Sequence, residues 1–245
     1  MKVLGVILAR SGSKTIKDKN IVLIAGKPLM VWSIEAGLKS GALDRLVVST
    51  DSPHYANIAH EHGADAILRP DSLCKDETWS RDALKWTVLE CERIWKTKWD
   101  IIAELPAVNP LKTHEDVRKA VELMKQHYDY ATSVVSVSQL VDHHPMRAKR
   151  LEAAEYPYEM NIEILWPYSD SCKEGQDSRK QDLEPAFIRN GAVYVMKRET
   201  LIEKGDRFGG RQVPYFMPEE RGVNMKMITA IVKPFKFLLR RRKDV

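Results

Sequence analysis

The chain has 245 residues, of which 44% are hydrophobic and 30% charged, a balance that supports a substantial buried core and indicates neither a disordered chain nor a membrane protein. Its formal charge of +5 is concentrated at the C-terminal end, where Lys233, Lys236, Arg240, Arg241, Arg242 and Lys243 stand against Asp244. Residues 233–245 read as a solvated basic helix or tail, and no nucleic-acid partner is expected, because that needs a basic face with aromatic or polar readers.

In chain order, strand-like apolar runs fall at residues 3–9, 46–49, 66–68, 101–104 and 131–137. Helical stretches lie between them at 28–39, 54–62, 79–96 and 114–127, with Pro28 and Pro53 suited to first helical turns. This alternation predicts an α/β, Rossmann-like, mostly parallel sheet with crossover helices, whose ligands sit beyond the carboxyl ends of the strands. Arg10, Ser49, Asp51, Arg69 and Asn109 stand at such ends. From about 139 to 181 the period is lost, with His144-Pro145, Tyr156-Pro157 and Trp166-Pro167 breaking regularity. No internal repeat or Gly/Ser-rich linker divides the chain, so residues 1–232 read as one domain carrying an insertion at about 139–181. No run has the length of a membrane span, and the segment after Met1-Lys2 is too short for a signal peptide, so no membrane association and a cytoplasmic location are expected.

Cys74, Cys91 and Cys172 are odd in number and contain no CxxC pair, which suggests neither a disulfide framework nor a zinc site. Cys91 falls on the helical stripe Leu84, Val88, Cys91, Trp95 and reads as a buried structural thiol. His143 and His144 are adjacent, so their side chains diverge, and no carboxylate or cysteine lies at ligand spacing.

The first strand runs into Arg10-Ser11-Gly12-Ser13-Lys14, then Lys17, Lys19 and Asn20, then Gly26-Lys27-Pro28. A buried strand ending in a loop of glycine, hydroxyls and cations presents N–H groups and positive charge to a phosphate chain. It is not a P-loop, since Ile21 and Pro28 occupy the places of that motif's first glycine and its Ser/Thr, and no GxGxxG turn is present.

The segment 9–16 with Lys19-Asn20 and 25–29 resembles the opening motif of the acylneuraminate cytidylyltransferases, the CMP-sialic acid synthetases. Further similarities follow in that family's order: Ser49-Thr50-Asp51, Arg69-Pro70, Asn109-Pro110-Leu111-Lys112, Arg179-Lys180-Gln181-Asp182-Leu183 and Asn190-Gly191-Ala192-Val193-Tyr194. The resemblance covers roughly residues 3–226, and segment 104–112 looks more like the legionaminic-acid branch. It implies a nucleotide-diphospho-sugar transferase type of fold with a projecting dimerisation subdomain, and a homodimer. It also implies cytidylyl transfer from CTP to an acidic nine-carbon 3-deoxy-ulosonate, with release of pyrophosphate.

By the same resemblance, Arg10 and Lys14 are the catalytic cations and hold the triphosphate with Ser13, while Lys19 and Asn20 line the nucleotide pocket. Arg69 and Ser80 read the cytosine or its ribose. Asn109, Arg179 and Gln181 meet the sugar, with Arg179 on its carboxylate. The family binds Mg²⁺ through Asp-x-Asp or Asn-x-Asp after a Pro-Glu-Glu segment, but here Asn224-Met225-Lys226 follows, leaving Asn224 as a neutral ligand and a cation where the carboxylate is expected. Asp51 is the second candidate ligand, with capping of the helix near Pro53 as its other reading. Three readings stay open: an active cytidylyltransferase, a relative that binds but no longer turns over, and a nucleotidyltransferase for another ulosonate such as 3-deoxy-manno-octulosonate.

Overall fold

A computed structural model describes residues 1–13, 16–140, 144–155, 161–172 and 177–222. The elements in chain order are β1 (Val3–Leu8), β2 (Leu23–Ile24), β3 (Lys27–Pro28), α1 (Leu29–Lys39), β4 (Arg45–Thr50), α2 (Pro53–Glu61), β5 (Asp65–Leu68) and α3 (Ser80–Trp95). They continue with β6 (Ile101–Glu104), α4 (His114–Gln126), β7 (Ser133–Gln139), β8 (Lys149–Glu155), β9 (Asn161–Pro167), β10 (Phe187–Lys197), α5 (Arg198–Ile202) and β11 (Gln212–Phe216). Among the described residues, one seven-stranded sheet runs β11-β7-β10-β6-β1-β4-β5, and β2-β3 and β8-β9 form separate pairs. The large sheet is mixed but mostly parallel: β1 runs parallel to β4 and β6, β4 to β5 and β7 to β11, whereas β10 is antiparallel to β6.

Strand β1 is central and apolar throughout because both of its faces are covered. Val3 and Ile7 pack with Met30 and Ile34 of α1, Tyr55 and Ala59 of α2, and Val117, Val121 and Met124 of α4. Leu4 and Val6 face the opposite layer, against Leu84, Val88 and Cys91 of α3 and Leu201 of α5. Burial pushes the Cys91 thiol up to about 12, which makes it the inert core thiol its helical spacing predicts. Helix α1 approaches the sheet at Gly37, where an added Cβ would lie 2.9 Å from both Leu46 and Leu105.

Pro53 opens α2 as expected, with the Ser52 side chain as the cap accepting from the Tyr55 N–H at 3.4 Å. Pro28 instead precedes α1, closing the β2-β3 hairpin, whose two loop residues Ala25 and Gly26 both have positive φ, 50° and 77°. Gly191 also requires glycine for its φ of 72° and not for close approach, since a Cβ there would find its nearest neighbours at 4.0 Å.

The described residues divide into two compact units, one of Met1–Val137 with the chain from Arg189 onward, the other Ser138–Ile188. The second contains the antiparallel β8-β9 hairpin in the stretch where the sequence shows no period. Within it, His144 Nδ1 accepts from the Met146 N–H at 3.2 Å and its Nε2 meets the Glu184 carbonyl at 2.8 Å. Both ring nitrogens are thereby engaged, Nδ1 as the cap of the turn Pro145–Arg147. His143 lies outside the described residues. No helix among the described residues is long and apolar enough to cross a membrane.

Candidate functional site

Because β1, β4, β5 and β6 are parallel, their carboxyl ends share one edge of the sheet, and a cleft of about 280 Å³ opens there. Arg10 follows β1, Arg69 follows β5, Glu104 ends β6 and Ser80 starts α3; all four line the cleft with Lys19 and Asn20. Lys75 and Asp76 extend the wall, so cations outnumber carboxylates.

The loop after β1 is fixed from two sides. Asp51 accepts the Ser11 N–H at 2.8 Å and the Ser11 hydroxyl at 3.0 Å, and the Asn20 amide donates to the Arg10 carbonyl at 2.9 Å. The Arg10 backbone is thereby held, and its guanidinium donates to the Cys74 carbonyl at 3.1 Å and to Asp76 at 2.5 Å.

Arg69 is different. It is only 6% exposed, and its Nε–H has no hydrogen-bond partner. Burial lowers its pKa, partly offset by the Cys74 thiol and by Asp51, yet a guanidinium stays protonated in a protein. A buried cation with an unsatisfied donor is costly to the fold.

Behind the cleft, Glu104 (3% exposed) is held by Arg207, whose Nε donates to Oε2 at 2.7 Å while Nη2 pairs with the same oxygen. Burial raises the Glu104 pKa, opposed by Arg207 and Lys112. Arg207 Nη1 also donates to Ser80 Oγ at 3.1 Å. Lys112 is buried with its Nζ on the Pro106 carbonyl at 2.5 Å, and burial pushes its ammonium down to about 7 despite Glu104 and Asp116.

An unfolded lysine keeps its proton to about pH 10.4, so between pH 7 and that value the unfolded chain binds the extra proton. Lys112 therefore makes stability rise with pH across this window, and its burial cost is fully present below pH 7. Urea unfolding from pH 7 to 10 is expected to show the parent gaining stability relative to Lys112→Met. Parallel profiles would remove Lys112 as the source.

The remaining expected residues are scattered. Ser13 gives its N–H to the Ser11 carbonyl at 2.8 Å and is not on the cleft wall. Asn109 is fully buried: its oxygen accepts the Leu111 and Lys112 N–H groups, each at 3.0 Å, and its amide donates to the Arg221 carbonyl at 3.0 Å. It shapes the loop before α4. Arg179 is exposed and pairs with Asp182 at 2.8 Å, while Gln181 lines a hollow of about 400 Å³ with His144 and Leu183, within Ser138–Ile188. Lys27, part of the cationic opening motif, pairs instead with Glu35 at 2.5 Å and holds that carboxyl below its usual range. Lys14, Asn224, Lys226 and the tail 233–245 lie outside the described residues.

Asp51 neither caps α2 nor joins a metal cluster; both of its oxygens are used by Ser11. Among the described residues no three His, Cys, Asp or Glu side chains come together as metal ligands, and the carboxylates at the cleft are engaged by Arg10 and Arg207. Sequence reasoning missed Glu104 and Arg207 as a pair; the one available signal was an acidic residue ending the apolar run Ile101-Ile102-Ala103.

An α/β sheet with a basic cleft at its carboxyl edge defines a nucleotide- or phosphate-binding protein. Residues 4–202 match the family described as Cytidylyltransferase, and the chain belongs to it. It is 32% identical over 224 residues, 90% of its length, to the N-acylneuraminate cytidylyltransferase of Streptococcus agalactiae serotype III, but covers 49% of that protein. The chain thus spans about half the length of the first such relatives it matches. It is 31% identical over 212 residues to the CMP-N,N'-diacetyllegionaminic acid synthase of Legionella pneumophila, covering 83% of this chain and 81% of that one. A CMP:2-keto-3-deoxy-manno-octonic acid synthetase complexed with CTP shares the fold, with a TM-score of 0.65 at 17% identity, covering 99% of this chain and 100% of that chain.

Proposed function

We propose that the chain transfers the cytidylyl group of CTP to an acidic 3-deoxy-ulosonate sugar of the sialic or legionaminic type, on a scaffold of the nucleotide-diphospho-sugar transferase kind. The oxygen on the sugar's anomeric carbon attacks the α-phosphorus, and the bond to the oxygen bridging to the β-phosphorus breaks, releasing pyrophosphate. Such a displacement is accelerated mainly by positioning and charge neutralisation. Arg10, Lys19, Arg69 and Lys75 supply positive charge at the cleft, Lys14 and Ser13 are assigned to the triphosphate from the opening motif, and Asn20 fixes the loop backbone. Arg69 and Ser80 face the base or ribose. Arg179 and Gln181 serve the sugar, with Arg179 exchanging Asp182 for the sugar carboxylate. Asn109 acts on the loop shape.

The observation that carries this reading is the cleft at the carboxyl ends of β1, β5 and β6, lined by the cations Arg10, Lys19, Arg69 and Lys75. The insertion at about 139–181 is assigned to contact with a second copy of the chain, supported by the exposed Leu165 and Tyr168. Pyrophosphate release tests the activity. With CTP and a panel of sialic, legionaminic and 3-deoxy-manno-octulosonic acids, release is expected with a nine-carbon acid and not with neutral sugars. CTP binding without release on any acid would favour the non-catalytic relative, for which Lys226 in place of the carboxylate speaks.

A further inference from the structure

We infer that Arg207 is a positioning residue that turns Ser80 into a hydrogen-bond donor toward the base and so selects cytosine over uracil; this rests on the reading of the cleft as a CTP site. Arg207 stands in the turn after α5, where Asp206 accepts the Phe208 N–H at 3.0 Å. Its guanidinium is held by Glu104 through Nε and Nη2 and lies 5.1 and 5.2 Å from the ring centroids of Tyr194 and Phe208. Those two rings meet edge to face at 5.3 Å. A planar fork fixed by these contacts has its remaining direction fixed as well, and that direction is Nη1 to Ser80 Oγ at 3.1 Å.

A hydroxyl carries one donor and two acceptor pairs, and a guanidinium never accepts. Ser80 Oγ therefore accepts from Arg207, and the neighbouring cation turns the hydroxyl hydrogen away from itself. Ser80 is exposed on the cleft wall, so its O–H is left for a ligand. Arg10 and Arg69 line the same cleft, and the two carboxylates of its wall are engaged, Glu104 by Arg207 and Asp76 by Arg10. This wall offers donors. Cytosine presents O2 and N3 as acceptors, whereas uracil carries N3–H and would set donor against donor. Sites built on such pairing reject the mismatched partner far more strongly than shape does.

The test is the ratio of UTP to CTP dissociation constants. The parent is expected to bind CTP more than about tenfold tighter. Ser80→Ala, and separately Glu104→Gln with Arg207→Gln, which removes both buried charges together, should each lower that ratio about tenfold. Combining all three should lower it no further, because the residues act through one hydroxyl; a merely structural Arg207 would give additive losses. Arg207→Lys, which retains a cationic donor, should keep most of the ratio. If the paired Gln variant does not fold, Ser80→Ala must still lower the ratio and Arg207→Lys must still keep it, and either failing overturns the inference. A parent that binds CTP and UTP equally, or a folded paired variant with an unchanged ratio, also overturns it while leaving the CTP reading intact. A parent that binds no CTP brings down both.

Discussion

Glu104→Ala is expected to destabilise the protein by about 3–5 kcal/mol, the usual cost of removing one partner from a buried ion pair. The loss has two parts. Arg207, with 19% of its side chain exposed, would keep its charge without a counter-ion, and Lys112 would lose a nearby carboxylate that favours its ammonium. For a domain of this size the Tm should fall by roughly 10 °C. Thermal unfolding followed by circular dichroism measures it, with Glu104→Gln/Arg207→Gln as the control that removes both charges and should lose much less. A shift of only a degree or two for Glu104→Ala would mean that water already screens the pair.

Arg69→Ala has the opposite signature, a loss of binding without a loss of stability. Deleting the side chain removes a buried cation with an open donor, so the fold should hold or gain slightly, while CTP affinity should fall by about 1.5–3 kcal/mol, or roughly 10- to 150-fold. Arg10→Ala should cost less. Its guanidinium already has Asp76 and the Cys74 carbonyl, both on a partly exposed surface, so a phosphate gains only the difference between partners. Calorimetric titration of both variants checks the order. Equal losses, or an Arg69 variant that binds CTP as the parent does, would place Arg69 among residues that only support the loop.

The sequence carried the fold well because strand and helix periods here are set by burial on both faces of one sheet. β1 reads as a continuous apolar run since Val3 and Ile7 meet one helical layer and Leu4 and Val6 the other. The β8-β9 hairpin was not legible: its strands Lys149–Glu155 and Asn161–Pro167 mix charges with few β-branched residues and lack a clear period of two. The cleft divides in the same way. Arg10, Lys19 and Asn20 share one loop, and the rule that parallel strands open their sites at one edge brings Arg69 to them. Glu104 and Arg207 join residues far apart in the chain, and nothing local announces such a pair. Asn109 has a role in the structure that its motif does not announce. An Asn before proline in a motif suggests a ligand contact, but the same side chain also mimics a backbone turn by accepting from the amides two and three residues ahead, as it does here.

The central claim is that CTP occupies the cleft at the carboxyl ends of β1, β5 and β6. Amide hydrogen exchange with and without saturating CTP tests it most directly, because it reports the location of binding independently of turnover. Exchange should slow in the segments around residues 10–20, 69–80 and 104–108 together, with little change across α5. Protection confined to 138–188, or none at saturating CTP, would contradict it.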